Sequence, residues 1–562
     1  MALDTTFGQN RQGYTLTDNF YDTSSQVVDS QNRTIVVGQT GSEATKKFTL
    51  FISRYTSSGL LDTNFGQGGY VYGDYYNGKD SEGIAIVLDE NENILVTGSA
   101  TDDNDIERLL IAKYSSEGVI DPFFGGSKGW ETYTFDYTKD GSVGYDITLD
   151  SSGLILVGGI AGGQDTSILF ILSRHEKDGT LDKNFGGNAT GWYIFETPGN
   201  SRYGSVKFLV EPSKGSILYL VQQLGDDSIK GPDLIYKFTS DGILDNNFGD
   251  QEGYIVVKNG SKFVSYSDGV SGITLDQSGN ILYTSVNGYD DNLLLVRYTS
   301  NGDLDINFGE NRGYTITAIP NYTSQGFSLI LDSNNRILVS GYVKAGEKPS
   351  QLLLARYTSN GSLDPTFDDN GLGYTIFKGV DFSYPSETNG ISLDNNGRIV
   401  ITGIGTIINV SGGTLIIRYL NENNEPICLP AGTPILTDQG LVPIEKIDTK
   451  KNTIGKKRIV AITTTITPEK HLVCFEANSM GINCPTQRTI MTPGHEVLYK
   501  GKLVQAKHFV GRMDGVHTVP YNGRDVLYNV LQEQHGLMRV NNMVLETLHP
   551  ENKVARIILG NQ

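Results

Sequence analysis

The first 427 residues of this 562-residue chain contain no cysteine, and the whole chain has three, Cys428, Cys474 and Cys484. Three thiols cannot all pair with one another, which excludes a disulfide scaffold and leaves a reducing compartment as the default expectation. Long apolar runs are also missing: none approaches the roughly 18 residues of a membrane span. The opening Met1-Ala2-Leu3-Asp4 lacks a basic or apolar leader segment, so neither a membrane span nor a signal peptide is expected. Positive charge is in deficit, with 45 Lys and Arg against 64 Asp and Glu and a net charge of −19, which opposes nucleic acid and anionic lipid as general partners. Proline (17) and methionine (6) are few, whereas glycine (67) and tyrosine (30) are abundant. Glycine supplies turns and tyrosine favours pleated, half-buried surfaces, so the composition reads as all-β with many short strands.

Reactive side chains are unevenly placed. Six of the seven histidines and all three cysteines lie at or beyond Cys428. From Cys428 onward there are 16 Lys and Arg against 11 Asp and Glu, a net of +5, which leaves −24 for the residues before it. An acidic domain over residues 1–420, a polar linker over 421–427 and a basic domain over 428–562 are therefore expected.

The first region is a repeat. A Leu-Asp or Ile-Asp pair followed three residues later by Phe recurs at Leu3-Asp4, Leu61-Asp62, Ile120-Asp121, Leu181-Asp182, Leu244-Asp245, Leu304-Asp305 and Leu363-Asp364. The spacings run from 58 to 63 residues. Each copy has the same order: a strand such as Leu293 to Tyr298, a glycine turn, the LDxxFG marker, a strand opening Gly-Tyr or Gly-Trp, then two more apolar segments. Four strands per repeat is the content of one propeller blade, so the array predicts seven blades. The chain begins inside one repeat, and the last repeat stops after Leu415 to Tyr419, so Gly13 to Thr17 is expected to pair with that final strand and close the ring. The pattern, over about Leu3 to Tyr419, resembles the delta-60 type of β-propeller repeat. The marker aspartates read either as turn caps or as a ring of metal ligands. The cations before the aromatic that ends the third strand (Arg54, Lys113, Arg174, Lys237, Arg297, Arg356, Arg418) read as strand-edge charges over neighbouring Asp or Tyr.

The second region runs Cys428-Leu429-Pro430-Ala431-Gly432-Thr433, then Thr492-Pro493-Gly494-His495, Leu527-Tyr528-Asn529-Val530 and Val540 to Pro550. These segments, over Cys428 to about Arg556, resemble a Hint domain, the compact all-β module shared by hedgehog C-terminal regions and inteins, and particularly the versions found in large DNA viruses. The resemblance implies that Cys428 attacks the carbonyl of Ile427 and turns the Ile427-Cys428 amide into a thioester, with Thr492 holding the scissile peptide and His495 acting as general acid at its nitrogen. His549 would assist thioester breakdown or cap a turn. Because Pro550 follows His549 and the sequence ends 13 residues later, the resemblance implies autocatalytic cleavage rather than splicing. The β-branched Ile427 opposes that attack.

Three functional readings follow: a binding or structural propeller with a self-cleaving Hint domain; an inactive Hint domain acting as an adaptor in a virion or other assembly; and a propeller that binds or processes glycans. No cofactor and no metal is implied, and the partner is an unidentified protein or glycan on a propeller face. No compartment is specified, with virion or host cytoplasm suggested by resemblance alone. Cys474, in the alternating segment His471-Leu472-Val473-Cys474, reads as a core thiol. A metal site joining it to His471 and Cys484 is conceivable, although the spacing fits no zinc motif. Lys450-Lys451 and Lys456-Lys457-Arg458 read as a solvated loop.

Overall fold

In the computed structural model the chain forms two compact units, Met1–Asn421 and Glu422–Gln562. The structure describes residues 3–548, except 18–20, 43–46, 77, 136–140, 163–167, 199–202, 225–231, 260–261, 264–270, 288–289, 347, 369–370, 383–387, 408–409, 422–426, 466–470, 523 and 534–535.

The first unit is a succession of four-stranded antiparallel meanders. The first comprises Tyr21–Val28, Thr34–Ser42, Lys47–Tyr55 and Tyr70–Gly73, and the same order recurs through Tyr314–Thr317; the strands from Thr323–Leu331 to Val410–Tyr419, with Tyr14–Leu16, are hydrogen-bonded into one eight-stranded sheet. Apolar side chains fill the layers between successive sheets: Ile35, Val37, Leu50 and Ile52 of one pack with Ile86, Val96, Leu110 and Ala112 of the next. Such a stack of small sheets, each covering its neighbour, is the architecture of a β-propeller.

The repeat's marker residues explain how neighbouring sheets are joined. The carboxylate of Asp62 accepts the backbone N–H of Asn64 at 3.2 Å and so caps its turn, and it also accepts Arg54 Nε at 2.8 Å. Arg54 lies over the Phe65 ring and reaches the Ser116 carbonyl in the following repeat at 2.5 Å. Arg174 repeats these contacts with Asp182, Phe185 and Ser240, and Arg297 with Asp305, Phe308 and Ser359. The marker aspartates are thus turn caps, and those facing an arginine are also its ion-pair partners. The Phe65 ring also packs against Gly118 of the following turn, where a Cβ would meet the ring at 2.9 Å and φ is +80°, so only glycine fits there.

The N-terminal strand closes the array. Tyr14–Leu16 pairs antiparallel with Val410–Tyr419, Tyr14 facing Ile417 and Leu16 facing Leu415. The first and last sheets also touch directly, through Gln26 Nε2 to the Val400 carbonyl at 3.0 Å, Thr23 Oγ1 to the Gly403 carbonyl at 3.2 Å and Asn395 Nδ2 to the Asp29 carbonyl at 3.1 Å. Among the described residues, the first and last sheets thus cover one another as neighbouring sheets do elsewhere in the array.

The second unit is also built from antiparallel β-sheets. One sheet joins Leu429–Pro430 to Leu527–Gln532 and Lys457–Thr465, a larger one contains Pro434–Thr437, Leu537–Val540, Met543–Glu546 and Glu496–Tyr499, and a third places His471–Phe475 between Thr489–Met491 and Val516–Pro520. Leu429, Ile435, Ile459, Val473, Phe475, Met491, Val497, Val530 and Leu545 form its core. The basic stretch expected as loop is only partly so: Lys457 and Arg458 open a strand, where they remain exposed while Ile459 turns inward.

Candidate functional site

Cys428 immediately precedes the short strand Leu429–Pro430, whose register (Leu429 opposite Tyr528) fixes the height of the thiol against the second unit's core. The side chain is buried in a pocket formed with Leu472 and Leu527, flanked by Ile490, Val519 and Tyr521. Thr492 stands just beyond the strand Thr489–Met491, and its hydroxyl accepts the Cys428 N–H at 2.8 Å while lying 3.3 Å from the Cys428 carbonyl. The Thr492 N–H donates to that same carbonyl at 3.0 Å. Both polar ends of the Cys428 backbone are therefore gripped by one residue.

The turn Thr492-Pro493-Gly494-His495 brings His495 back to the same place, since its N–H donates to the Thr492 carbonyl at 3.1 Å and its own carbonyl accepts Ala506 N–H at 2.8 Å. The His495 ring is fully buried, with Nε2 3.3 Å from the Glu546 carbonyl. A carbonyl only accepts, so Nε2 carries the proton in the neutral ring and Nδ1 keeps its lone pair. Nδ1 has no hydrogen-bond partner among the described residues. Burial pushes the His495 pKa down, an effect that the Glu546 charge and the backbones of Glu546 and Cys428 only partly offset. Burial also pushes the Cys428 thiol up to about 12, so the resting thiol is protonated.

The fold thus brings together Ile427, Cys428, Thr492 and His495. Ile427 is half-buried and packs on Val460, Leu531 and Leu548. His549 lies outside the described residues. Glu546 is the residue that sequence reasoning overlooked: its carbonyl orients His495 and its Oε1 accepts the Glu496 N–H at 3.1 Å. A backbone carbonyl leaves no mark in residue type, so no motif announced it.

The metal grouping considered from sequence does not assemble. His471 and Cys474 are three apart on one strand and so face opposite sides of it, and Cys484 Sγ instead meets the Asn542 carbonyl at 3.7 Å. Cys474 instead gathers Glu476 and His517, the three donor atoms lying within 4.8 Å of one another. In the propeller, a surface pocket of about 270 Å³ is lined by charged and apolar side chains alike, among them Asp89, Lys113, Asp150, Leu95, Leu149 and Ile155.

A family model for the Hint domain matches residues 427–552. The second unit is a Hint domain. A second model, a β-propeller domain of unknown function (DUF5122), matches residues 333–367, within the repeat array. With its sheet architecture this makes the chain a β-propeller followed by a C-terminal Hint domain. No curated protein matches the chain. Similar solved structures include the polysaccharide lyase Uly1 (9% identity, TM-score 0.40, covering 71% of this chain and 89% of that one). Another is Chaetomium thermophilum Sqt1 bound to the N-terminus of ribosomal protein L10 (9%, 0.36, covering 72% and 98%). A third is a fungal alcohol oxidase of the AA5 family in complex with copper (12%, 0.38, covering 95% and 98%). Likenesses this distant say nothing of ligand or activity. No helix among the described residues is long and apolar enough to cross a membrane.

Proposed function

We propose that the Hint domain cleaves its own chain at Ile427-Cys428 through a Cys428 thioester, without splicing, and that the propeller, closed as seven blades, is a binding or structural module. The observation that carries this reading is the grip of Thr492 on the Cys428 backbone, with its hydroxyl 2.8 Å from the amide nitrogen that would leave. In the reaction the Cys428 sulfur bonds to the Ile427 carbonyl carbon, the carbon–nitrogen bond breaks, and the thiol proton ends on the new amine. His495 suits the transfer, because the lone pair on its unpaired Nδ1 takes a proton and the resulting imidazolium gives one up. A thioester would then yield to water or an added thiol. Pro550 stands after His549 where splicing requires an asparagine able to cyclise, which favours cleavage over ligation.

The test is the intact mass of the freshly purified chain over days, with and without dithiothreitol or hydroxylamine. The expected products are Met1 to Ile427 and Cys428 to Gln562, absent from Cys428→Ala. A single unchanged mass in every condition would make the Hint domain an inert adaptor.

A further inference from the structure

Cys474 and His517 are directly opposite in the antiparallel pairing of His471–Phe475 with Val516–Pro520. Residues so paired project from one face of the sheet with Cβ atoms about 4.5–5.5 Å apart. Glu476 follows two positions along from Cys474, and its Oε1 lies 3.5 Å from Cys474 Sγ and 3.7 Å from His517 Nε2. Zinc bonds of about 2.0–2.3 Å in a tetrahedron put neighbouring ligand atoms roughly 3.3–3.8 Å apart. Two of the three spacings therefore already suit a single ion, and the third is no more than 4.8 Å. The Cys474 residue is buried, whereas the Glu476 and His517 side chains are 45% and 50% exposed, so the thiol lies at the floor of a donor set open to solvent. The cluster already holds a cation at its side: Arg488 Nε is 3.1 Å from Cys474 Sγ and 3.5 Å from Glu476 Oε1, on a side chain that is 54% exposed and free to swing outward.

We propose that Cys474, Glu476 and His517 form a binding site for a zinc-like divalent cation, with the fourth position left to water. One sulfur, one imidazole nitrogen and one carboxylate oxygen select zinc over magnesium or calcium, whose ligands are oxygens. On binding, the Cys474 S–H bond breaks, the thiolate donates an electron pair to the ion, the proton passes to solvent, and no electron is transferred. Affinity therefore rises with pH. Arg488 gives up its place to the ion. The site uses none of Cys428, Thr492 and His495 and stands whether or not the chain cleaves itself.

The experiment is a cobalt(II) titration of the full-length Cys428→Ala protein, which keeps a single chain and removes the other buried thiol. One equivalent of cobalt should produce thiolate-to-metal charge-transfer absorption, bleached by added zinc. Cys474→Ser should abolish the band, and His517→Ala, a change at an exposed side chain, should weaken binding at least about tenfold. Arg488→Ala should tighten it, and Cys484→Ser should leave it unaltered. Absence of the band, its survival in Cys474→Ser, or undiminished affinity in a folded His517→Ala protein would each overturn the proposal.

Discussion

Arg418 Nε donates to Asp4 Oδ2 at 2.8 Å, so two residues 414 positions apart make the bond that Arg54 and Asp62 make over eight. Arg418 also lies over the Phe7 ring and reaches the Ser57 carbonyl at 2.6 Å, completing between the two chain regions the set of contacts that Arg54, Arg174 and Arg297 each make with an aspartate, a phenylalanine and a carbonyl of the following repeat. This interface is thus chemically the same as those built around Arg54, Arg174 and Arg297, but its parts must be brought together from a distance, at a greater cost in chain entropy.

That cost makes the closing contacts a sensitive point. Arg418→Ala leaves Asp4 buried without its main partner and should lower stability by about 3–5 kcal/mol, as should Arg54→Ala at Asp62. Deleting Met1 to Thr17 should lower both melting temperature and solubility. Urea denaturation of the three variants checks this, and a truncated protein melting with the full chain would show that the closing strand adds no stability.

Acid should loosen the same clamps. Burial alone would raise the Asp4 pKa, but the Thr6 hydrogen bonds and the charges of Arg418 and Arg398 more than offset it and hold the carboxyl below its ordinary value. Asp182 and Asp364 are depressed by the same opposition of burial against turn hydrogen bonds and a neighbouring arginine. A folded-state pKa below the unfolded one contributes stability that is present above the unfolded value, near ~3.9, and lost as pH falls through the folded value. Stability from these groups should therefore fall away below about pH 4, and Asp4→Asn should make the loss shallower in urea titrations run at successive pH values.

The cleavage reading assigns separable roles within the Hint domain. His495→Ala should slow cleavage roughly 100-fold or more. Thr492→Val should slow it and Thr492→Ser should largely restore it, because the hydroxyl that accepts the Cys428 N–H is kept. Since burial keeps the Cys428 thiol protonated, the rate should climb between pH 7 and 9. Equal rates in all these variants, followed by intact mass, would remove His495 and Thr492 from the reaction.

Ile427 poses two opposed effects that substitution can part. Its branched Cβ crowds the carbonyl to be attacked, while its packing on Val460, Leu531 and Leu548 holds that carbonyl in place. Ile427→Leu moves the branch away and keeps apolar contact, so it should cleave faster than the native chain. Ile427→Gly should gain from lost crowding and lose from lost anchoring, and finish slower than Ile427→Leu. The reverse order would mean that anchoring is immaterial.

The propeller should fold alone. Residues 1–426 expressed without the Hint domain should give a soluble monomer with one cooperative melt, measured by circular dichroism and light scattering. Aggregation would mean that the array depends on the second unit.

Much of the fold is legible in the sequence, because repetition amplifies weak local signals. One LDxxFG turn is an unremarkable loop, but seven at spacings of 58 to 63 residues define a unit, and the strand order around them points to meanders. The role of the recurring cation was half legible: its neighbour in sequence is an aromatic, whereas its partners, Asp62 and the Ser116 carbonyl in the case of Arg54, lie eight and 62 residues away.

What the sequence alone determined were features carried by residue type and spacing: the alternation and turns that make strands, the repeat that makes a propeller, and the segments around Cys428 and Thr492 to His495 that resemble a Hint domain. What only the tertiary structure decided were relationships set by strand register. Register places the Glu546 carbonyl on His495 and sets His517, rather than His471, beside Cys474. The reason is geometric: a strand alternates faces every residue, so a neighbour three positions away points to the opposite side, while a partner 43 positions away is brought opposite by hydrogen bonds between backbones that carry no side-chain signature.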